Sequence, residues 1–120
     1  LGADIANPRP APGASTTLTL YWQAGAPFPA DYAVFVHLLG PAGTPVLIAD
    51  HAPSRPTTNW LEGEIIADAV TLSLPPDLPP GAYPLEVGLY NPAAPAPTRL
   101  PVAASGADHL ILTEIEVPAP

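Results

Sequence analysis

The stretch that decides the fold is residues 75–90, PPDLPPGAYPLEVGLY. A proline-glycine turn, Pro79 to Gly81, leads directly into a segment in which apolar residues alternate with others. One face of that segment carries Tyr83, Leu85, Val87 and Leu89. Turn residues followed by an alternation with a period of two predict a half-buried antiparallel strand.

The same pattern of turns and alternating segments recurs along the chain. Residues 31–39 are apolar on both faces, which predicts either a central strand covered on both sides or an exposed face that meets a partner. The segment at 40–44, GPAGT, predicts a hairpin turn, with residues 45–51 as the returning strand. Further strands are predicted at 1–6, 16–24, 64–74, 98–102 and 109–117. The residues expected to face the core in two of them are Leu18, Leu20, Trp22, Val70, Leu72 and Leu74. In the last strand, one face is expected to carry Ile111, Thr113, Ile115 and Val117.

Seven or eight short strands without a convincing helix predict an all-β fold. The length of 120 residues fits one domain, residues 1–120. Turn signals at intervals of about ten residues favour a two-sheet antiparallel β-sandwich, and both immunoglobulin-like and jelly-roll topologies fit this number of strands. The sequence leaves the strand order open.

Composition and charge exclude several classes of protein. Eleven acidic residues face three arginines, with a formal net charge of −8. Such a surface repels nucleic acid and anionic membranes, so neither is expected as a partner. No apolar run reaches the roughly 18 residues needed to span a bilayer, which predicts no direct membrane insertion by this chain. The absence of methionine predicts that the sequence is a piece of a longer protein.

The histidines and carboxylates do not form a recognisable catalytic or metal motif. His37 is predicted to be packed or hydrogen-bonded within a strand, and His51 to lie at the surface. A zinc site would require the three histidines to converge, and calcium would require loop carboxylates such as Glu62, Glu64 and Asp68, which we expect instead to be solvated. No serine lies in a GxSxG context. We therefore predict no enzyme activity, no cofactor and no metal.

Trp60 is the best candidate for a ligand contact. It lies in the longest irregular segment, beside Asn59 and near Arg55, and Tyr90 is a further candidate. Sugar-binding modules stack sugar rings on exposed aromatic side chains, which gives this set a functional interpretation. The alternative, which we favour, is that Trp60 plugs one end of the sandwich as a core residue.

Several pieces of the sequence together resemble a known domain. They are LTLYWQA (18–24), DYAVFVHLLGPAG (31–43), NWLEGEIIAD (59–68), LPPDLPPGAYPLEVGLYNP (74–92) and TRLPV (98–102). They resemble the β-sandwich accessory domain at the C-terminus of Chloroflexi-type multi-pass membrane proteins of the dolichyl-phosphate-mannose mannosyltransferase class. The chain departs from that pattern at Asn91, where alanines and prolines replace an Asp-Pro-x-Thr-Gly turn. The resemblance implies an extracytoplasmic accessory domain, with catalysis in the membrane portion.

Two functional hypotheses follow. The first is a non-catalytic accessory or interaction domain of a larger cell-surface, glycosyltransferase-like protein, with glycan or the rest of that protein as its partner. The second is a carbohydrate-binding module that uses Trp60, Asn59, Arg55 and Tyr90, and burial of both tryptophans would rule it out.

Overall fold

The structure is a computed structural model that describes residues 2–23, 25, 28, 30–53, 55–93, 98–100 and 108–118. Eight strands lie within these residues, together with a short 3₁₀ turn at Thr57–Asn59. The strands are β1 Gly2–Ile5, β2 Ser15–Gln23, β3 Ala33–Leu39, β4 Pro45–Ile48, β5 Ile65–Ser73, β6 Gly81–Asn91, β7 Thr98–Leu100 and β8 Leu110–Val117. No helix of the described ranges is long and apolar enough to cross a membrane.

The strands form two antiparallel sheets. One sheet has the order β1-β2-β5, and the other has the order β4-β3-β6, with β7 and β8 both on the remaining edge of β6. On that edge, β8 pairs with residues 81–87 of β6 and β7 pairs with residues 89–91. The all-β two-sheet sandwich predicted from the sequence is therefore confirmed.

The core lies between the two sheets and is built by the predicted alternation. In β6 the alternating apolar residues from Tyr83 to Leu89 are at most 3% exposed, and in β2 Leu18 and Leu20 are fully buried. Each such side chain contributes roughly 1.5–3 kcal/mol when it is removed from water. Trp22 and Trp60 are both part of this core.

The turn before β6 is fixed by a hydrogen bond from the strand that follows it. The Tyr83 hydroxyl donates to the Pro79 carbonyl oxygen at 2.5 Å, four residues upstream. Gly81 between them has a φ of 154°, which residues with a side chain rarely adopt. The Pro-Pro-Gly-x-Tyr segment therefore sets the direction in which β6 enters its sheet.

The alternation expected for the last strand is interrupted. A register shift in β6–β8 pairing places Thr113 opposite Leu85 but Ile111 opposite Glu86, so that Leu112 is an extra residue in a β-bulge. Leu112 consequently packs against the core, whereas Ile111 is 48% exposed on the outer side of the sheet. The prediction that Ile111 shares a face with Ile115 and Val117 is wrong for this reason.

The fourth strand is shorter in the structure than the sequence predicts, and only part of the seventh lies within the described residues. β4 ends at Ile48 rather than at residue 51, and His51 then makes a separate backbone bridge to Val34. β7 spans Thr98–Leu100, and the predicted continuation to residue 102 lies outside the described residues.

Candidate functional site on the outer face of the five-stranded sheet

β3 supplies side chains to both sides of the five-stranded sheet. Val34, Val36 and Leu38 point into the core, so Phe35 and His37 point to the outer side. The sheet register places these two residues opposite residues 88 and 86 of β6. The apolar character of both faces, noted in the sequence, thus corresponds to a central strand with a second cluster on its outer side.

Phe35 is buried although it lies on the outer side of the sheet. Its side chain is 2% exposed because the ring lies against Gly88, where a Cβ atom would be 2.2 Å from the Phe35 Cε2 atom. The Arg99 guanidinium covers the other side, with its carbon atom 4.3 Å from the ring centroid, a cation–π distance. The Tyr90 ring is 6.5 Å away between centroids. Phe35, Gly88, Tyr90 and Arg99 form the outer aromatic cluster.

His37 lies between two carboxylates. Its Nε2 atom is 3.3 Å from Asp50 Oδ1, and its Nδ1 atom is 3.3 Å from Glu86 Oε1. Asp50 Oδ1 also accepts a hydrogen bond from the Val36 backbone N–H at 3.2 Å. The prediction that His37 is a hydrogen-bonded strand residue is confirmed. Because the two carboxylates lie on opposite sides of the ring, they do not converge on one point with it.

A row of four side chains crosses the outer face. Ile48 of β4 lies opposite His37 of β3, which lies opposite Glu86 of β6. Glu86 in turn lies opposite Ile111 of β8. Ile48 is 62% exposed and Ile111 is 48% exposed, so the row has aliphatic ends and a polar centre. Three strand spacings separate the ends by about 14 Å. We call Ile48, His37, Glu86 and Ile111 the outer row.

An ion pair borders the outer aromatic cluster. Asp108 Oδ1 lies 3.0 Å from His109 Nδ1 and 3.8 Å from Arg99 Nη1. The hydrogen bond with His109, and secondarily the charge of Arg99, hold the pKa of the Asp108 carboxyl below its usual range. Asp108 therefore stays ionised and helps to position the guanidinium that covers Phe35.

A second polar pair lies on the inner side of the sandwich. His51 Nε2 is 2.7 Å from Asp68 Oδ2, and His51 Nδ1 is 3.0 Å from the Ala49 carbonyl oxygen. Asp68 is 1% exposed and occupies a core-facing position of β5, opposite Leu20. The hydrogen bond to Asp68 raises the pKa of His51, and burial opposes this effect. The expectation that Asp68 is solvated is wrong, because His51 satisfies this carboxylate across the two sheets. His51, expected at the surface, is partly exposed, with a side chain that is 21% exposed.

The residues predicted to bind a ligand do not form one platform. Trp60 is 3% exposed, donates from Nε1 to the Arg55 carbonyl oxygen at 2.9 Å, and packs edge-on against Phe28 at 5.3 Å between centroids. Its ring offers no open face for stacking, and the interpretation of Trp60 as a core residue is confirmed. Asn59 adjoins Trp60 and is exposed, whereas Tyr90 is on the outer face of the five-stranded sheet.

Arg55 is held by its neighbours beside Trp60. Its Nη2 atom pairs with Glu64 and donates to the Asn59 carbonyl oxygen at 3.3 Å. The hydrogen bond from Arg55, together with one from the Leu61 N–H, lowers the pKa of Glu64. Arg55 and Glu64 therefore brace the loop that positions Trp60.

No metal centre is formed by the part of the chain that the structure describes. No group of three or more histidine, aspartate or glutamate side chains in those ranges is arranged to hold an ion. His37 faces two carboxylates at separate nitrogen atoms, and His51 faces one carboxylate and one backbone carbonyl oxygen.

Sequence reasoning did not identify the outer row. Its members are far apart in the chain and meet through the pairing of four strands. One signal was present, because the two apolar faces of residues 31–39 already pointed to a covered outer side.

Comparison with known proteins gives no relative for this chain. No family model matches it, and no curated protein and no solved structure matches it significantly. Function is therefore inferred from the residues and their geometry.

Proposed function

We propose that this chain is a non-catalytic accessory domain of a larger, cell-surface, glycosyltransferase-like membrane protein, placed on the extracytoplasmic side. It acts by binding, and the outer face of the five-stranded sheet is its contact surface. The sequence resemblance to such accessory domains supports the parent class.

The outer row is the observation that carries this proposal. Two exposed isoleucines at its ends flank a polar centre in which His37 and Glu86 are held by contacts within the sheet. Protein interfaces combine such apolar contacts with polar groups that are already positioned before binding. The face is thus suited to bury aliphatic surface without ordering mobile side chains.

The hydrogen bonding of the histidines supports binding rather than catalysis. Both ring nitrogens of His37 face carboxylates, and both ring nitrogens of His51 have acceptors within the fold. A general base needs a nitrogen directed at a substrate proton. In this arrangement the two rings join parts of the structure to each other.

The connections between the two sheets also support a binding module, because they favour an immunoglobulin-like arrangement of the sandwich. The chain crosses from one sheet to the other between β2 and β3, between β4 and β5, and between β5 and β6, while the remaining connections stay within one sheet. Crossings of this kind occur in sandwiches with Greek-key connections. The bond from Tyr83 to Pro79 has the form of the tyrosine corner of such domains, in which a tyrosine near the start of a strand bonds to the backbone a few residues upstream. These features favour an immunoglobulin-like module over a jelly roll.

Hydroxyl-radical footprinting tests the proposal in the longer protein. We expect oxidation of Ile48 and Ile111 to be lower in the full-length protein than in the isolated domain. Leu61 and Ile65, which are 70% and 66% exposed outside the outer row, are the matched controls and should label equally in both. Equal labelling of Ile48 and Ile111 in the two samples would contradict the proposal.

A carbohydrate-binding module is the second candidate. Burial of Trp22 and Trp60 rules out a platform built on Trp60. One observation favours a module without the tryptophans: Tyr90, a partly exposed member of the outer aromatic cluster, lies opposite Arg99 on the same face. If this candidate is correct, the domain binds a soluble neutral polysaccharide in titration calorimetry, and Tyr90→Ala abolishes the heat while leaving the circular dichroism spectrum unchanged. Absence of binding to a panel of such polysaccharides would rule it out.

A further inference from the structure

We infer that the outer face of the five-stranded sheet docks a basic protein surface, one that presents arginine or lysine around an aliphatic centre. This inference rests on the proposed function and adds the chemistry of the partner.

Each arginine of this chain lies close to an acidic side chain of the same chain. It contains three arginines and no lysine. Arg9 lies 3.6 Å from Glu116, Arg55 pairs with Glu64, and Arg99 covers Phe35 with Asp108 at 3.8 Å. The acidic residues that give the net charge of −8 are therefore not neutralised within the chain, and ions or a binding partner must balance their charge.

The acidic excess is present at the centre of the outer face. Asp50 and Glu86 flank His37, and their side chains are 31% and 15% exposed. Two carboxylates around one imidazole ring give this centre an excess of acidic groups. Asp108 and Arg99 at the border of the face compensate each other. Electrostatic complementarity of this kind steers association and selects partners of opposite charge.

Other possible partners, a second copy of the chain or a neutral sugar, fit this face less well. A second copy of the chain, also at −8, would bring like charges together. A neutral sugar would need an open aromatic ring, whereas Phe35 is 2% exposed, Tyr90 is only partly exposed and the ends of the outer row are aliphatic. Those aliphatic ends, Ile48 and Ile111, instead match the apolar centre of a protein surface.

Titration with a defined peptide tests the inference by NMR. The probe is an octapeptide of alternating leucine and arginine, added to the isotopically labelled domain, with an octapeptide of alternating leucine and glutamate as its counterpart. We expect saturable shifts in the backbone signals of Ile48, His37, Glu86 and Ile111 with the first peptide and none with the second. Raising the salt from about 0.05 to 0.5 M should weaken the binding because screening shortens the range of the attraction.

A charge-matched pair of variants separates docking at this face from general attraction. Asp50→Asn with Glu86→Gln removes two charges from the outer face while keeping the side-chain shapes. Glu62→Gln with Asp77→Asn removes two charges from exposed loop positions. We expect the first double variant to raise the Kd roughly tenfold, within the range for losing two partly exposed charge pairs. The second should change it by less than about twofold.

Three results would overturn the inference: no shifts with the arginine peptide, equal binding of the glutamate peptide, or equal effects of the two double variants. The footprinting experiment distinguishes these from failure of the proposed function. If Ile48 and Ile111 are protected in the longer protein but the arginine peptide does not bind, the face is an interface and its partner is not basic. If they are not protected, the face is not the contact surface.

Discussion

Removing His51 should destabilise the fold more than any exposed substitution would. His51→Ala leaves the Asp68 carboxylate, which is 1% exposed, without the partner that now lies 2.7 Å away. Breaking a buried pair by deleting one member costs about 3–5 kcal/mol. The His51 side chain is 21% exposed, so water reaches the site and the lower value, about 3 kcal/mol, is expected. Against a total stability of about 5–15 kcal/mol for a domain, this is a large fraction.

Replacing both members should cost far less than replacing one. In the double variant His51→Leu with Asp68→Leu, no buried charge remains, and such apolar replacements are often neutral or stabilising. Urea denaturation followed by tryptophan fluorescence measures the unfolding free energy of the wild type, both single variants and the double variant. A loss below about 1 kcal/mol in His51→Ala would show that the pair is solvated and would refute the reasoning.

The same pair predicts the direction of the pH dependence. The hydrogen bond to Asp68 raises the folded-state pKa of His51 above its ordinary value of 6.5, so the folded protein holds this proton more tightly than the unfolded chain does. The resulting stabilisation is fully present below pH 6.5 and is lost as the pH rises through the folded-state pKa.

A conservative variant isolates this contribution. Asp68→Asn puts a neutral amide of similar shape in place of the carboxylate whose hydrogen bond, with a smaller contribution from its charge, raises the His51 pKa. We expect the wild type to lose more stability than this variant between pH 5.5 and pH 8.5, as measured by urea titration at each pH. Parallel pH profiles for the two proteins would contradict the assignment.

Three further changes test the packing. Tyr83→Phe removes the bond to Pro79 and should lower stability by about 0.5–1.5 kcal/mol in urea titration, and an unchanged midpoint would show that the turn does not need it. Gly88→Ala should lower the unfolding free energy by about 1–3 kcal/mol, because the added Cβ atom would overlap the Phe35 ring. Adding Phe35→Leu to this variant should recover part of the loss. A Gly88→Ala protein as stable as the wild type would disprove the contact. Trp60→Ala should cost about 3–5 kcal/mol in thermal unfolding by circular dichroism, whereas an exposed Trp60 would tolerate the change.

The sequence predicts features that depend on neighbouring residues. The alternation in residues 82–90 identifies the buried face of β6, and the Pro-Pro-Gly turn identifies where that strand begins. Trp22 follows Leu18 and Leu20 on one face, so the sequence also predicts that Trp22 is buried, as it is. In each case the chemistry that fixes the structure lies within about ten consecutive residues.

Features that depend on contacts between distant parts of the chain cannot be predicted from a local stretch of sequence. Asp68 looks like a solvated acid in its own segment, and its burial becomes acceptable because His51 reaches it from the opposite sheet. Similarly, the exposure of Ile111 follows from the bulge at Leu112, which the pairing of β8 with β6 creates. The whole candidate site depends on such contacts, because the outer row is formed by residues from four strands.

The inner and outer polar groups are linked through two adjacent residues, yet they should respond separately to substitution. Asp50 faces His37 on the outer side, and the next residue, His51, faces Asp68 on the inner side. Backbone hydrogen bonds between His51 and Val34, at 2.8 and 2.9 Å, hold this segment against β3 without using either side chain. The double variant His51→Leu with Asp68→Leu should therefore bind the leucine-arginine octapeptide as tightly as the wild type does. Loss of peptide binding in a folded double variant would mean that the inner pair positions Asp50, and that the two groups act as one unit.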